Sequence, residues 1–134
     1  MANTSFQPIA GSKTNGVIKL YGQVTLGNSG AISSSSCDGF TIAKTASKTG
    51  RYTVTLGQNY NKLLGCSVQI IGPDDAAFTD AKGVDPKLRD NDVGGGANDG
   101  TFEIQFVDAD SGADAEVQDS AVLLIEITLK NSSV

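Results

Sequence analysis

The chain has 134 residues, a formal net charge of −5, and neither histidine nor tryptophan. This length suffices for one domain with a sizeable core, so the fold does not depend on disulfide staples. Without histidine, Ser-His and Cys-His nucleophile pairs are excluded, and two cysteines alone do not make a zinc site. An acidic balance argues against direct binding to nucleic acid.

Residues 1–16 are polar and are interrupted by Pro8 and two glycines, which predicts an extended N-terminal arm. The arm has neither the basic start nor the apolar stretch of a secretion signal. The longest apolar run, 121–125, is too short to cross a bilayer, so we expect no membrane partner.

These features predict synthesis in a cytoplasm. Cytosolic chains rarely keep disulfides, so we expect Cys37 and Cys66 to be two reduced thiols.

Residues 17–26, VIKLYGQVTL, alternate with a period of two, which predicts the first strand. Gly22 in its middle indicates a bulge or a close approach of another segment. The next stretch carries four consecutive serines, 33–36, and its composition favours a loop.

Residues 38–56 predict a β-hairpin. Phe40 and Ile42 alternate with polar residues, as do Tyr52 and Val54 further on, and the segment between them ends in Gly50, which can adopt a positive φ. We expect the threonines of both strands to face solvent; they are Thr41, Thr53 and Thr55.

Residues 58–65, QNYNKLLG, place Tyr60, Leu63 and Leu64 at helical spacing before a glycine, which predicts one short helical turn. Residues 66–72 then predict a strand with Cys66, Val68 and Ile70 on one face.

Residues 73–100 carry seven aspartates, two prolines and few large apolar groups. Ordering this segment costs about 1–2 kcal/mol per residue in backbone entropy, which its apolar side chains do not offset. We therefore predict a long irregular acidic loop, with one short edge strand near 81–88.

Residues 101–108 and 121–130 alternate strictly and predict two further strands. In the last strand one face is apolar throughout, whereas the other is apolar only at Val122 and Leu124. Such a strand belongs in the middle of a sheet, with these two side chains against something else. The fold expected for 17–134 is a single all-β domain, an antiparallel β-sandwich or jelly-roll-like barrel.

Charge is distributed unevenly along the chain. Residues 1–72 carry one acid and six bases, whereas 73–119 carry thirteen acids and three bases. This division could produce attraction between neighbouring copies, but the simpler and favoured interpretation is a solvated acidic loop that keeps the protein soluble.

Catalysis finds little support, because no nucleophile or phosphate-binding motif is present. We expect no enzyme activity and no cofactor. Carboxylates in 108–119 superficially follow the spacing of a calcium loop, but Ala113 stands where such loops need glycine. We therefore expect a solvated hairpin loop there, with weak calcium binding as the alternative.

The segment DGFTIAKTASKTGRYTVTLGQNYNKLLGCSVQI (38–70), with TFEIQFVDADSGADAE and the final SAVLLIEITLKNSSV, resembles a loose group of tailed-bacteriophage virion proteins. The resemblance covers about half the chain, in 38–72 and 101–134. It implies a capsid decoration, or cement, protein that binds the outer head surface as a homotrimer and bridges capsomers. Its partners would be its own copies and the major capsid protein or another virion protein.

Two alternatives stay open. One is a head-fibre, collar or tail-fibre component with a receptor-binding loop at 73–100; the other is a ligand-binding module that uses an exposed tyrosine. For the association role the interface candidates are Phe6, Pro8, Ile9, Tyr21, Phe78, Val122 and Leu124.

Overall fold

The computed structural model of the protein describes residues 16–72, 83–94 and 100–131. These ranges contain eight β-strands and one 3-10 turn, at Asn28–Gly30. The strands are β1 (Val17–Leu26), β2 (Ile32–Cys37), β3 (Phe40–Lys44), β4 (Arg51–Leu56), β5 (Lys62–Ile71), β6 (Val84–Arg89), β7 (Thr101–Asp108) and β8 (Val122–Lys130).

The strands form two four-stranded sheets. The first has the order β2-β1-β8-β5 and the second has the order β3-β4-β7-β6, with antiparallel pairing throughout. Their apolar faces share one core, so the predicted all-β class is confirmed in its sandwich form.

The last strand, β8, lies between β1 and β5 in the middle of the first sheet, as its sequence predicts. Its inward side chains are at most 2% exposed, because strands flank it on both sides and the second sheet covers it. The second sheet contributes aromatic residues, including an edge-to-face pair between Tyr52 and Phe106 with ring centroids 5.8 Å apart. Buried hydrophobic residues are Val24, Leu26, Phe40, Tyr52, Val54, Leu56, Tyr60, Phe102, Ile104, Phe106, Val117, Ala121, Leu123, Ile125, Ile127 and Leu129.

Both ends of the described chain lie at one end of the sandwich. The backbone N–H of Asn131 donates to the carbonyl of Gly16 over 2.7 Å. This bond lies next to the start of β1 and the end of β8, which pair with each other. Segments 27–31, 45–50 and 109–121 connect strands at the opposite end. The predicted arm 1–16 therefore joins the sandwich, at Gly16, beside the C-terminal end of β8.

The predicted helical turn at 58–65 is wrong. Tyr60 is buried in an irregular segment before β5, which begins at Lys62 and pairs with β8 as far as Lys130. Such a short helix is marginal in water, whereas this segment gains a long ladder with a buried strand. Leu64, counted as a helical apolar position, instead lies in a β-bulge and is 46% exposed.

The serine run predicted as a loop forms most of β2, which pairs with β1 from Gly22 to Leu26. An edge strand needs only backbone hydrogen bonds on one side, so serines are compatible with it. The hairpin predicted in 38–56 is confirmed as β3 and β4. Of its threonines, Thr41 and Thr55 are exposed, while Thr53 is half-buried and shares a hydrogen bond with Thr45.

The predicted acidic loop contains an edge strand, β6, which pairs only with β7 among the described strands. The remainder of 73–100 is only partly described, and the arm 1–15 lies outside the described residues, so the domain boundaries stay a prediction. Cys37 and Cys66 are both free thiols, as expected, and lie on opposite edge strands of the first sheet. No helix in the described ranges is long and apolar enough to span a bilayer.

Candidate functional site

The outer face of the first sheet is assembled from alternate residues of its four strands. Strand pairing aligns them in rows, with Tyr21 beside Glu126 and Ser67 in one row and Gln23 beside Leu124 and Gln69 in the next. The row nearest the far end of the sandwich joins Thr25, Val122 and Ile71.

Most of this face is free of charge. Tyr21 is 57% exposed and Ile71 is 47% exposed, although large apolar side chains are usually covered in a sheet. We call the neutral side chains of the last two rows, with those of β2 beside them, the uncharged patch. Its members are Gln23, Thr25, Ser34, Ser36, Gln69, Ile71, Val122 and Leu124.

A groove of about 620 Å³ crosses this face at Tyr21. Amide and hydroxyl side chains surround the exposed aromatic ring, and Glu126 and Asp38 add two carboxylates. The ion pair between Lys19 and Glu126 spans 3.4 Å at the groove's border and is exposed, so it contributes little stability. An open groove of this composition can bind a ligand through stacking and hydrogen bonds.

The outer face of the second sheet is different, because its charges pair with one another. Arg51 contacts Asp114 at 3.2 Å, and Arg89 donates to Gln105 over 3.0 Å and lies 3.5 Å from Glu103. Gln105 in turn donates to Asp114. This network lies toward β7 and β6, whereas the described outward residues toward β3 are neutral but small, namely threonines and Ala43. The described part of the second sheet therefore offers no comparable apolar surface.

The charge division along the sequence is partly resolved inside the chain. Bases of the first half reach acids of the second half in three ion pairs, Lys19–Glu126, Lys44–Glu116 and Arg51–Asp114. The uneven distribution is therefore partly neutralised within the chain at these positions, and its role between neighbouring copies stays a prediction.

The carboxylates of 108–119 have separate structural partners. Asp108 accepts from the backbone N–H groups of Asp110 and Ser111, and Asp119 accepts from that of Ser29 over 3.0 Å. Glu116 accepts from Lys44 and from the backbone N–H of Gly50. No group of three metal-ligating side chains occurs among the described residues.

Burial disfavours the charged form of both thiols. It raises the pKa of Cys66 to about 12, and it is the main cause that raises the pKa of Cys37. Both groups are therefore largely protonated at neutral pH and are poor nucleophiles in this fold.

Three of the predicted interface residues come together on the outer face. Val122 and Leu124 lie half-buried on β8, and Tyr21 is one row beyond Leu124 on the neighbouring strand. The other candidates lie outside the described residues; they are Phe6, Pro8, Ile9 and Phe78.

Sequence reasoning missed the members of the face on β2 and β5. Ser67, Gln69 and Ile71 alternate with the inward residues of β5, so the period-two pattern already carried their signal. It did not reveal that β5 continues the sheet of β8. The serines of β2 carried no apolar signal at all.

No protein-family model matches the chain, and it matches neither a curated protein nor a solved structure.

Proposed function

We propose that the protein is a non-catalytic structural component of a bacteriophage virion, of the capsid decoration type. It is made in the host cytoplasm and binds the outer head surface as an oligomer, most simply a homotrimer. The observation that carries this proposal is the uncharged patch, where three large apolar side chains lie among neutral polar groups.

The patch supports a role in association because of its chemistry. Half-buried Val122 and Leu124 and exposed Ile71 offer apolar area, and the flanking amides and hydroxyls supply hydrogen bonds without the cost of burying charge. Many copies on a repetitive shell need only weak individual contacts, since multivalency supplies the strength.

The position of the chain ends fits the same role. Residues 1–15 precede Gly16 at the terminal end of the sandwich, and fifteen residues span up to about 50 Å when extended. The arm can therefore reach a neighbouring subunit from that end of the sandwich.

The experiment introduces Leu124→Asp into the patch, with Thr41→Asp as the matched control on the outer face of the second sheet. The buried charge should abolish association through the patch in the first variant, which lowers the mass of the oligomer or removes particle binding, while Thr41, which is exposed, tolerates it. Light-scattering mass and copy number on purified particles are measured, and circular dichroism checks folding. A folded Leu124→Asp variant with wild-type mass and occupancy contradicts the proposal.

The groove favours carbohydrate binding as a second candidate function, which suits a fibre component that recognises a receptor. The exposed ring of Tyr21 can stack on a sugar, and the surrounding amides and carboxylates can form hydrogen bonds with the hydroxyl groups of that sugar. Glycan-array binding that is lost in Tyr21→Ala and kept in Tyr21→Phe would support this function, and an array without signal would remove it.

A further inference from the structure

The edge of the first sheet formed by β5 lacks the usual protection against pairing. β5 is ten residues long and carries one charge, Lys62, at its first position. Among the described strands only β8 pairs with it, so its other side presents backbone N–H and C=O groups. Stable monomers protect such edges with short strands, charges or proline.

The other edge strands of the molecule show that protection. β6, on the same side of the sandwich, contains Pro86 and the charges of Asp85, Lys87 and Arg89 within six residues. β3 and β2 are short, with five and six residues, and the middle of β2 is entirely serine. β5 is therefore the exception among four edges.

Apolar side chains along this edge also remain incompletely covered. The inward residues of β5 are half-buried, whereas the inward residues of neighbouring β8 are at most 2% exposed. Leu64 on β5 is 46% exposed. Leu88 on β6, across the groove between the two edge strands, is 43% exposed. The half-buried inward residues are Leu63, Cys66, Val68 and Ile70. An additional strand at this edge would remove this area from water.

We propose that β5 pairs with β5 of a second copy in antiparallel orientation, joining the two first sheets into one eight-stranded sheet. In such a pair, opposing residues must lie on the same face of the sheet. The regular part of β5 runs from Gly65 to Ile71, because the bulge at Leu64 interrupts the ladder before it. Placing Val68 opposite its own copy uses this whole stretch.

This register matches side chains by chemistry. Inward Cys66 faces Ile70 of the second copy, and outward Ser67 faces Gln69. Gly65 faces Ile71, whose exposed side chain needs space. Apart from Gly65 and its two chain neighbours, no described residue has an atom within 4 Å of the position that a Cβ on Gly65 would occupy, so the described part of the chain leaves this space open.

A second copy is the occupant that these features favour. The stretch is uncharged and self-complementary, and antiparallel pairing keeps the two Lys62 side chains at opposite ends. Such an isologous contact closes on itself by two-fold symmetry and leaves no free β5 edge. The contact uses the backbone edge of the sheet, so it does not depend on the function proposed above.

The first test places lysines opposite one another. Ser67→Lys combined with Gln69→Lys would oppose like charges twice across the pair, which destabilises it. The matched control is Thr41→Lys with Ala43→Lys, an exposed i, i+2 pair at the β3 edge of the second sheet and outside the uncharged patch. Sedimentation velocity should show the wild type and the control at twice the mass of the β5 variant. Equal masses for all three proteins would overturn the proposal.

Mixing variants tests whether Ser67 and Gln69 face each other across the contact. The lysine variant should form a mixed complex with a Ser67→Glu, Gln69→Glu variant, because every opposing pair is then of opposite charge. Association through a surface that contains neither residue gives no such rescue, so its absence also overturns the proposal.

The register has its own test. Gly65→Ile should block association by filling the space that Ile71 needs, and adding Ile71→Gly to the same chain should restore it by exchanging the two positions. If the double variant stays at half the mass, the register with Val68 at its centre is wrong.

Discussion

At the scale of single residues, Tyr52 combines most of the forces that stabilise this fold. Its ring is fully buried and meets Phe106 edge to face, and its hydroxyl donates to the carbonyl of Gly30 over 2.6 Å. The hydrogen bond joins the second sheet to the turn between β1 and β2. Burial, with a smaller contribution from the negative charge of Glu116, raises the pKa of Tyr52 well above its usual value.

Tyr52→Phe removes that hydrogen bond and leaves the carbonyl of Gly30 without it. We expect the free energy of unfolding at pH 7 to fall by about 1–2 kcal/mol. Urea titrations of the variant and the wild type measure the difference. A variant as stable as the wild type at pH 7 would show that water replaces the hydroxyl at no cost.

The same pair of proteins yields a pH dependence. Because the folded pKa of Tyr52 lies above the unfolded value of 10.0, the unfolded chain loses this proton first as the pH rises. The stabilisation by Tyr52 is therefore complete below about pH 10 and is lost above it. We expect the stability difference between wild type and Tyr52→Phe to stay constant up to about pH 10 and to shrink above it, as urea titrations at several pH values would show. A constant difference would contradict the raised pKa.

At the scale of elements, the turn between β3 and β4 is locked against the segment that precedes β8. Gly50 has a φ of 66°, its N–H donates to Glu116, and its carbonyl accepts from the N–H of Phe106 over 2.8 Å. A Cβ at this position would overlap the carbonyl oxygen of Ala115. This glycine is therefore required both by its backbone angle and by the close approach of another segment.

Gly112 separates these two requirements. It needs the backbone angle, with a φ of 75°, but not the close approach. Apart from Gly112 and its chain neighbours, no described atom lies within 4 Å of the position of a Cβ there. Gly112→Ala should cost about 1 kcal/mol for the left-handed backbone alone. Gly50→Ala should cost roughly 1–3 kcal/mol more, because the overlap forces the two segments apart. Chemical denaturation of both variants checks this order, and equal losses would mean that the contact with Ala115 relaxes freely.

At the scale of the whole molecule, stability follows the position of each strand in its sheet. β8 has hydrogen-bonded neighbours on both sides and a buried inward face, whereas β6 has one described neighbour and a half-exposed inward face. Local opening should therefore require the least free energy at β6 and approach that of global unfolding at β8.

Amide hydrogen exchange followed by mass spectrometry or NMR measures this gradient. We expect the slowest exchange at the inner residues of β8, and the fastest strand exchange at β6. If β5 pairs with a second copy, the β5 amides that point away from β8 should exchange slowly at high protein concentration and faster on dilution. Uniform protection across both sheets would contradict the gradient.

Periodicity in the sequence was sufficient wherever a strand has one buried face. The segments 17–26 and 101–108 agree with β1 and β7 to the residue, and the pattern in 121–130 also placed β8 in the middle of a sheet. The same reasoning placed Val122 and Leu124 on an outer face. An apolar/polar alternation reports burial directly, because successive side chains of a strand point to opposite faces.

Reasoning from local periodicity failed where the stabilising contacts come from residues far away in the sequence. The serines of β2 bury almost nothing and are held by backbone bonds to β1, and the start of β5 follows the ladder of β8 instead of its own helical spacing. The charges behaved similarly, since Lys44 and Arg51 find partners more than sixty residues away.

The sequence by itself determined the all-β class, the strands β1, β3, β4, β7 and β8, the later part of β5 and the presence of the edge strand β6, since these follow from local alternation and turn residues. It also determined the inward face of each of these strands except β6. Only the tertiary structure decided the strand order, the joining of Gln23, Leu124 and Gln69 into one neutral surface, and the unprotected position of β5. The reason is physical. Strand pairing is set by long-range backbone hydrogen bonds and by the packing of one sheet on the other, neither of which leaves a mark in a local pattern.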